Sequence, residues 1–228
     1  MTSDNRLIVA LDFADMDKVQ NMVTLLGDAV GHYKVGMELF YAAGSEAIRF
    51  LRAAGKEVFL DLKLHDIPNT VGRSAGVLAG LGATMFNVHA AGGTAMMKAA
   101  ALTALETAAT SGRPRSKVIA VTVLTSLDEG EWTRLNCSLP IAAQAVHLAV
   151  LAKGAGLDGV VASPQEAAAI RAACGPDFLI VTPGVRPAGS AVNDQSRVAT
   201  PAGALKGGAS HLVVGRPITA APDPRASA

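Results

Sequence analysis

Short, nearly unbroken apolar runs alternate with longer amphipathic or Ala-rich segments along the whole chain. The runs predict strands at residues 7–11, 33–36, 57–62, 84–89, 117–124, 159–162, 178–182 and 211–214. Helical spacing predicts helices at 14–26, 46–54, 70–81, 95–109, 140–154, 165–173 and 201–206, and Gly215-Arg216-Pro217-Ile218 opens a last one. Gly82 stands where the third helix needs a left-handed C′ residue. A polar insert at 125–138, with a short helical turn near 131–135, follows the fifth strand, and a long loop at 183–200 follows the seventh. Continuous apolar strands are the mark of strands buried on both faces. Strict strand–helix alternation implies parallel strands with right-handed crossovers. Eight such units without a composition break imply an α/β fold, a closed (β/α)8 TIM barrel forming a single domain over 1–228. A doubly wound open sheet satisfies the same alternation.

The third strand and its exit, Phe59-Leu-Asp-Leu-Lys-Leu-His-Asp-Ile-Pro-Asn-Thr70, carry most of the chemistry. Asp61 and Lys63 are two apart, so a regular strand points them to one face and Leu60, Leu62 and Leu64 to the other. Charges there are costly unless they are partners or chemistry. Pro68 fits the first turn of a helix, with Asp66 as its N-cap. A structural ion pair plus a capping Asp would explain this stretch taken alone.

Composition narrows the choices. Half of the residues are hydrophobic, enough for a sizeable core, and the formal net charge is only +1, so no nucleic-acid or anionic membrane surface is implied. Aromatic residues make up 4%, too few for base-stacking platforms. Cys137 and Cys174 sit in no ligand spacing and read as reduced, incidental thiols. The first apolar run is too short for a signal peptide or membrane span, so a cytoplasmic protein is expected.

In a barrel, functional groups gather at the C-terminal strand ends. Asp12, Lys34, Asp61, Lys63, Asp66, His89, Thr125, Ser163, Arg186 and Arg216 all fall there. Lys34, Asp61, Lys63 and Asp66 alternate in sign and, packed together, would form a charge network holding one ammonium where negative charge develops. No metal-ligand spacing and no Ser–His–Asp order is evident, so no metal or cofactor is called for. Thr182-Pro-Gly-Val-Arg-Pro187 and Val214-Gly-Arg-Pro-Ile-Thr219 follow strands seven and eight, where barrels often bind phosphate. Gly215 admits close backbone approach, and Arg186 and Arg216 supply bidentate cations. An ordinary turn with a solvent-facing Arg is the plainer alternative.

These residues resemble the orotidine 5′-monophosphate decarboxylase family in its bacterial form. The likeness runs through Val9-Ala-Leu-Asp12, Tyr33-Lys-Val-Gly36, residues 59–70, Asn87-Val-His-Ala90, Val121-Thr-Val-Leu-Thr-Ser126, Leu157-Asp-Gly-Val-Val161, the two Arg motifs and Asp194-Gln195. The Asp-x-Lys-x-x-Asp core is shared across a wider superfamily; the extension to Ile-Pro-Asn-Thr is more specific. The resemblance implies a lyase that decarboxylates orotidine 5′-monophosphate to UMP, the last step of de novo pyrimidine biosynthesis, without metal or cofactor. It implies that Asp12 and Lys34 bind the ribose hydroxyls and that Lys63 is the proton donor, with Asp61 beside the substrate carboxylate. It implies a homodimer in which Asp66 and Thr70 reach the neighbouring site. Thr125, with Ser126 beside it, would meet the pyrimidine edge, and Arg186, Gln195, Gly215 and Arg216 would hold the phosphate and its closing loop. The family has a full eighth helix. Here Pro222 and Pro224 imply a shortened C-terminal helix and thinner cover near strands one and eight.

Two rivals stand beside this reading. Keto-sugar phosphate decarboxylases and aldolase-like synthases of the superfamily share the core but use magnesium; Lys34 in place of a carboxylate speaks against them. A silent phosphate-binding barrel would be expected to have lost Lys63 or an Asp partner, and all are present.

Overall fold

The computed structural model describes residues 4–186 and 199–228. Eight parallel strands close on themselves in sequence order: β1 (Leu7–Ala10), β2 (His32–Gly36), β3 (Glu57–Leu64), β4 (Met85–His89), β5 (Lys117–Val121), β6 (Gly159–Val161), β7 (Leu179–Thr182) and β8 (His211–Val214). Closure is made by β1 lying beside β8, with Ile8 opposite Val213. The closed barrel is the one the alternation predicts, and the open sheet is excluded.

Each strand's alternation splits its side chains between two cores. Ile8, Ala10, Phe59, Met85, Ile119, Val181 and Val213 fill the barrel interior. Val9, Leu11, Val58, Leu60, Phe86 and Val160 face the surrounding helices in the larger outer core. Small residues on both sides let the layers approach. At Gly159 an added Cβ would lie 2.3 Å from the Leu179 carbonyl oxygen, so no larger residue fits.

The helical layer comprises α1 (Met16–Leu26), α2 (Met37–Ala43), α3 (Ser45–Ala53), α4 (Pro68–Gly80), α5 (Gly93–Ser111), α6 (Glu129–Arg134), α7 (Ile141–Gly154), α8 (Ala167–Cys174), α9 (Pro201–Lys206), α10 (Arg216–Thr219) and α11 (Pro224–Ser227). Local chemistry sets the ends. Asp15 caps α1 by accepting from the Asp17 amide at 2.8 Å, and Asp128 caps α6 by accepting from Glu131 at 2.8 Å. Gly82 has φ +89°, as expected of the residue that turns the chain out of α4.

Three features depart from the sequence reading. Helix α2 has no counterpart in the periodicity: only Leu39 is buried in it, Tyr41 is 77% exposed, and no apolar stripe announces it. Asp66 is not the N-cap of α4. Ile67 holds that position without a side-chain bond, and the Asp66 carboxylate accepts instead from the Ile67 amide at 2.7 Å. The C-terminal segment forms two single turns, α10 and α11, and strand β8 is not left bare. Leu212, Val214 and Ile218 are buried in the outer core. Arg225 of α11 donates to the Leu26 carbonyl at 2.9 Å and pairs with Asp28 at 2.5 Å, tying this end to the end of α1.

Among the described residues, no helix is long and apolar enough to cross a membrane. Cys137 and Cys174 are both free thiols.

Candidate active site

A cavity of about 340 Å³ opens at the C-terminal mouth of the barrel. Its floor is apolar, made by Ala10, Phe59, Val121, Val161 and Val213. Asp12, Lys34, Asp61 and Lys63 line one side. Thr125 and Ser126, from the segment between β5 and α6, line another. Gly184, Arg186, Gly215 and Arg216, beyond β7 and β8, complete the wall. Ion-paired side chains, two arginines and an apolar floor thus share one cavity.

The charged side is a chain of ion pairs. The Lys34 ammonium donates to Asp12 Oδ1 at 2.9 Å and lies 3.4 Å from Asp61 Oδ2. The Lys63 ammonium donates to Asp61 Oδ1 at 2.7 Å. Burial pushes the Asp61 carboxyl up, but the two lysines and the bonds from Lys63 and Asn87 more than reverse this, so its pKa lies below the usual carboxylate value. Burial pulls the Lys34 ammonium down; Asp61 and Asp12 outweigh it and hold the pKa above the ordinary lysine value. Both charges thus persist in a secluded site. Gly36 makes room for this arrangement, because a Cβ there would sit 2.8 Å from the Lys34 Nζ and 3.4 Å from Asp12 Oδ1.

Strand β3 does not reach Lys63 as a regular strand. The register with β4 shifts between Leu60 and Leu64, and Lys63 has φ +54°, in the left-handed region. Such a conformation costs a non-glycine residue on the order of 1–3 kcal/mol and persists where its surroundings fix it. The Lys63 amide donates to Asn87 Oδ1 at 2.8 Å, and Asn87 Nδ2 donates to Asp61 Oδ1 at 2.8 Å. Asn87, fully buried on β4, had no role in the sequence reading beyond its place in a motif. A lone Asn inside an apolar strand was the available signal.

The remaining candidates divide. Asp12, Lys34, Asp61, Lys63, Thr125, Arg186, Gly215 and Arg216 converge on the cavity. Asp66 does not. Within one chain the network is Asp12–Lys34–Asp61–Lys63 rather than the four-residue set that included Asp66. Asp66 and Thr70 are exposed beyond the rim, on either side of Ile67 and Pro68. Ser163 is buried away from the cavity; its amide donates to Glu166 Oε2 at 2.9 Å and its hydroxyl accepts from the Gln165 amide at 3.3 Å, so it shapes a turn. His89 stacks at a tilt on His65, ring centres 5.4 Å apart, and burial first, then the neighbouring His65 and Lys63, hold its pKa below the usual histidine value. Gln195 and most of the loop expected to close lie outside the described residues. Among the described residues no three of His, Cys, Asp and Glu gather as a metal site.

The profile of the family described as "Orotidine 5'-phosphate decarboxylase / HUMPS family" matches residues 5–228. The chain belongs to this family. It is 55% identical to the orotidine 5′-phosphate decarboxylase of Moorella thermoacetica over 229 residues, covering 100% of this chain and 91% of that protein. It is 51% identical to the corresponding enzyme of Geobacter sulfurreducens, covering 100% and 96%. The crystal structure of orotidine 5′-phosphate decarboxylase from Lactobacillus acidophilus superposes with a TM-score of 0.87 at 44% identity, covering 98% of this chain and 96% of that one. In this family member the ion-pair chain and the two arginines line one mouth.

Proposed function

We propose that the protein decarboxylates orotidine 5′-monophosphate to UMP in the cytoplasm, as the last step of de novo pyrimidine synthesis. The observation that carries this reading is the Lys63 ammonium, fixed 2.7 Å from Asp61 at a cavity that Arg186 and Arg216 also line. The cationic wall suits a phosphate, and the apolar floor suits a pyrimidine ring.

The chemistry follows from the charges. When the C6–carboxylate bond breaks, CO₂ leaves and the electron pair remains on C6. No ring electron sink is directly conjugated to that carbon. An ammonium already oriented by Asp61 stabilises the developing charge without reorganisation, and Lys63 then transfers a proton to C6. Asp61 holds Lys63 in place, and its negative charge lies beside the substrate carboxylate. Lys34 and Asp12 bind the ribose hydroxyls. Thr125, with Ser126, meets the pyrimidine edge. Arg186, Gly215 and Arg216, with Gln195 from the closing loop, bind the phosphate. That group is remote from the reacting carbon, so its binding energy goes to closure, water exclusion and orientation.

The reaction needs no metal in this reading. Asp12 and Asp61 already have lysines as their counter-ions, so the carboxylates have little call for a divalent cation. The active form is a homodimer with shared sites. Asp66 and Thr70 are exposed and absent from their own cavity's lining, and Ile67 between them is 66% exposed, an apolar group suited to a second copy.

The test is ultraviolet absorbance of orotidine 5′-monophosphate with protein dialysed against a chelator. Conversion to UMP without added metal is the expected result. No conversion, with magnesium-dependent turnover of a keto-sugar phosphate instead, would move the protein to the rival chemistry.

A further inference from the structure

We propose that Asn87 is a positioning residue for the reaction, its side-chain amide fixing both ends of Lys63. Through Oδ1 it accepts the Lys63 amide at 2.8 Å, where the main chain turns left-handed at φ +54°. Through Nδ2 it donates at 2.8 Å to Asp61 Oδ1, the oxygen that also accepts the Lys63 ammonium at 2.7 Å. The four groups form a closed ring: Lys63 amide, Asn87, Asp61 carboxylate, Lys63 ammonium. Breaking the first or the last link frees one end of the lysine, and breaking the middle one loosens the carboxylate that holds its ammonium.

The ring explains why Asn stands on an otherwise apolar strand. The site requires one atom that accepts and, on the same rigid plane, one that donates. The Lys63 N–H can only donate, which makes the facing atom Oδ1 and so directs Nδ2 at the carboxylate. The group must also be neutral, because Asp61 already takes charge from two lysines. A carboxylate would accept from the amide but repel Asp61, and an apolar residue would leave a buried N–H without its bond. The register shift between Leu60 and Leu64 shows that β3 departs from regular pairing just where the ring closes. The inference rests on the reading of Lys63 as proton donor.

The charged and titratable groups around the ring are Lys34 on β2, Asp12 beyond β1, Lys63 itself, and His89 with His65 beside it. They set the terms of the test. In Asn87→Asp, the introduced carboxyl would face Asp61 across a hydrogen-bond distance. Two carboxyls so placed hold one proton between them with a raised pKa. While that proton is held, the introduced group still accepts from Lys63 and donates to Asp61. Once it is lost, the two carboxylates repel and Lys63 is displaced.

The experiment compares kcat, KM, the pH–rate profile and Tm for the wild type, Asn87→Asp, Asn87→Ala and Lys63→Ala. Asn87→Ala is expected to lose about 10²-fold in kcat with little change in KM, the effect of a reacting group misplaced by about 1 Å. Asn87→Asp is expected to gain a basic limb in kcat, with activity falling as pH rises where the wild type stays level. Lowered Tm with unchanged kcat and an unchanged pH profile would mark a structural role and overturn the inference. Failure of both Asn87 variants to fold would overturn it too, since Asn87 would then serve the fold rather than Lys63. If Lys63→Ala keeps normal turnover, the reading of Lys63 falls first. If Lys63→Ala is inactive while both Asn87 variants behave as wild type, only this inference is lost.

Discussion

Lys34 and Asp61 face each other at 3.4 Å across neighbouring strands, and the oxygen involved, Oδ2, is the one that Lys63 leaves free. Asp61 therefore gives one oxygen to each lysine. Its burial alone would raise its pKa, and Lys34 is the largest of the forces that lower it.

That ordering predicts the outcome of Lys34→Met. With that cation gone and burial unchanged, the Asp61 pKa rises, and the acid limb of kcat moves to higher pH. The sign can be checked on stability as well. Asp61 has a depressed folded pKa, so its contribution is present above the unfolded value of 3.8 and is lost as pH falls through the folded one. Lys34 has a raised folded pKa, so its contribution is present below the unfolded 10.5 and is lost as pH rises through the folded one. The wild-type network should hold at full strength between those two unfolded values. An unmoved acid limb in the variant would refute the coupling.

Lys63→Ala should abolish turnover far beyond the ~10²–10³-fold typical of removing one positioned donor, because proton and charge go together. Binding of UMP, measured by calorimetry, should survive, since the proposed phosphate contacts are untouched. Near-normal turnover would end the proposed mechanism.

Arg216→Ala should raise KM and slow closure while leaving the ion-pair side intact. Steady-state kinetics with the phosphorylated substrate and with the nucleoside alone would show it. The variant should narrow the difference between the two substrates, and an unchanged difference would remove Arg216 from the phosphate site.

Ile67→Glu places a charge at the exposed apolar position between Asp66 and Thr70. Sedimentation should show dissociation to monomers, with activity falling in step. A monomer with full activity would refute shared sites.

Far from the mouth, His32 and His211 meet edge to face with ring centres 6.2 Å apart. Burial, then His211, pulls the His32 pKa from 6.5 down to about 4. The unfolded chain binds that proton at a higher pH than the folded one, so stability falls as pH drops from 6.5 towards 4. The loss is on the order of 3 kcal/mol at most. Chemical denaturation of wild type and His32→Leu across this range should show a flatter acid decline in the variant; equal slopes would refute the assignment.

The sequence by itself determined eight parallel strand–helix units and most of the mouth. Eight apolar runs buried on both faces, separated by helices, allow a closed barrel or an open sheet, and the pairing of β1 with β8 decided for closure. The periodicity also placed Asp12, Lys34, Asp61, Lys63, Thr125, Arg186 and Arg216 at strand ends, because strand exits are local features. What depended on distant neighbours was decided only in three dimensions. Spacing makes Asp61 and Lys63 neighbours on a regular strand, yet Lys63 turns left-handed and is held by Asn87 from the next strand. Spacing makes Asp66 a cap and a network member, yet it accepts from the Ile67 amide and lies outside its own cavity, while Asp12 pairs with Lys34. Arg225 fastens the short C-terminal end to α1 across nearly the whole length of the chain. Periodicity reports which face a residue occupies. Which hydrogen bond it completes depends on groups that only the closed barrel brings within about 3 Å.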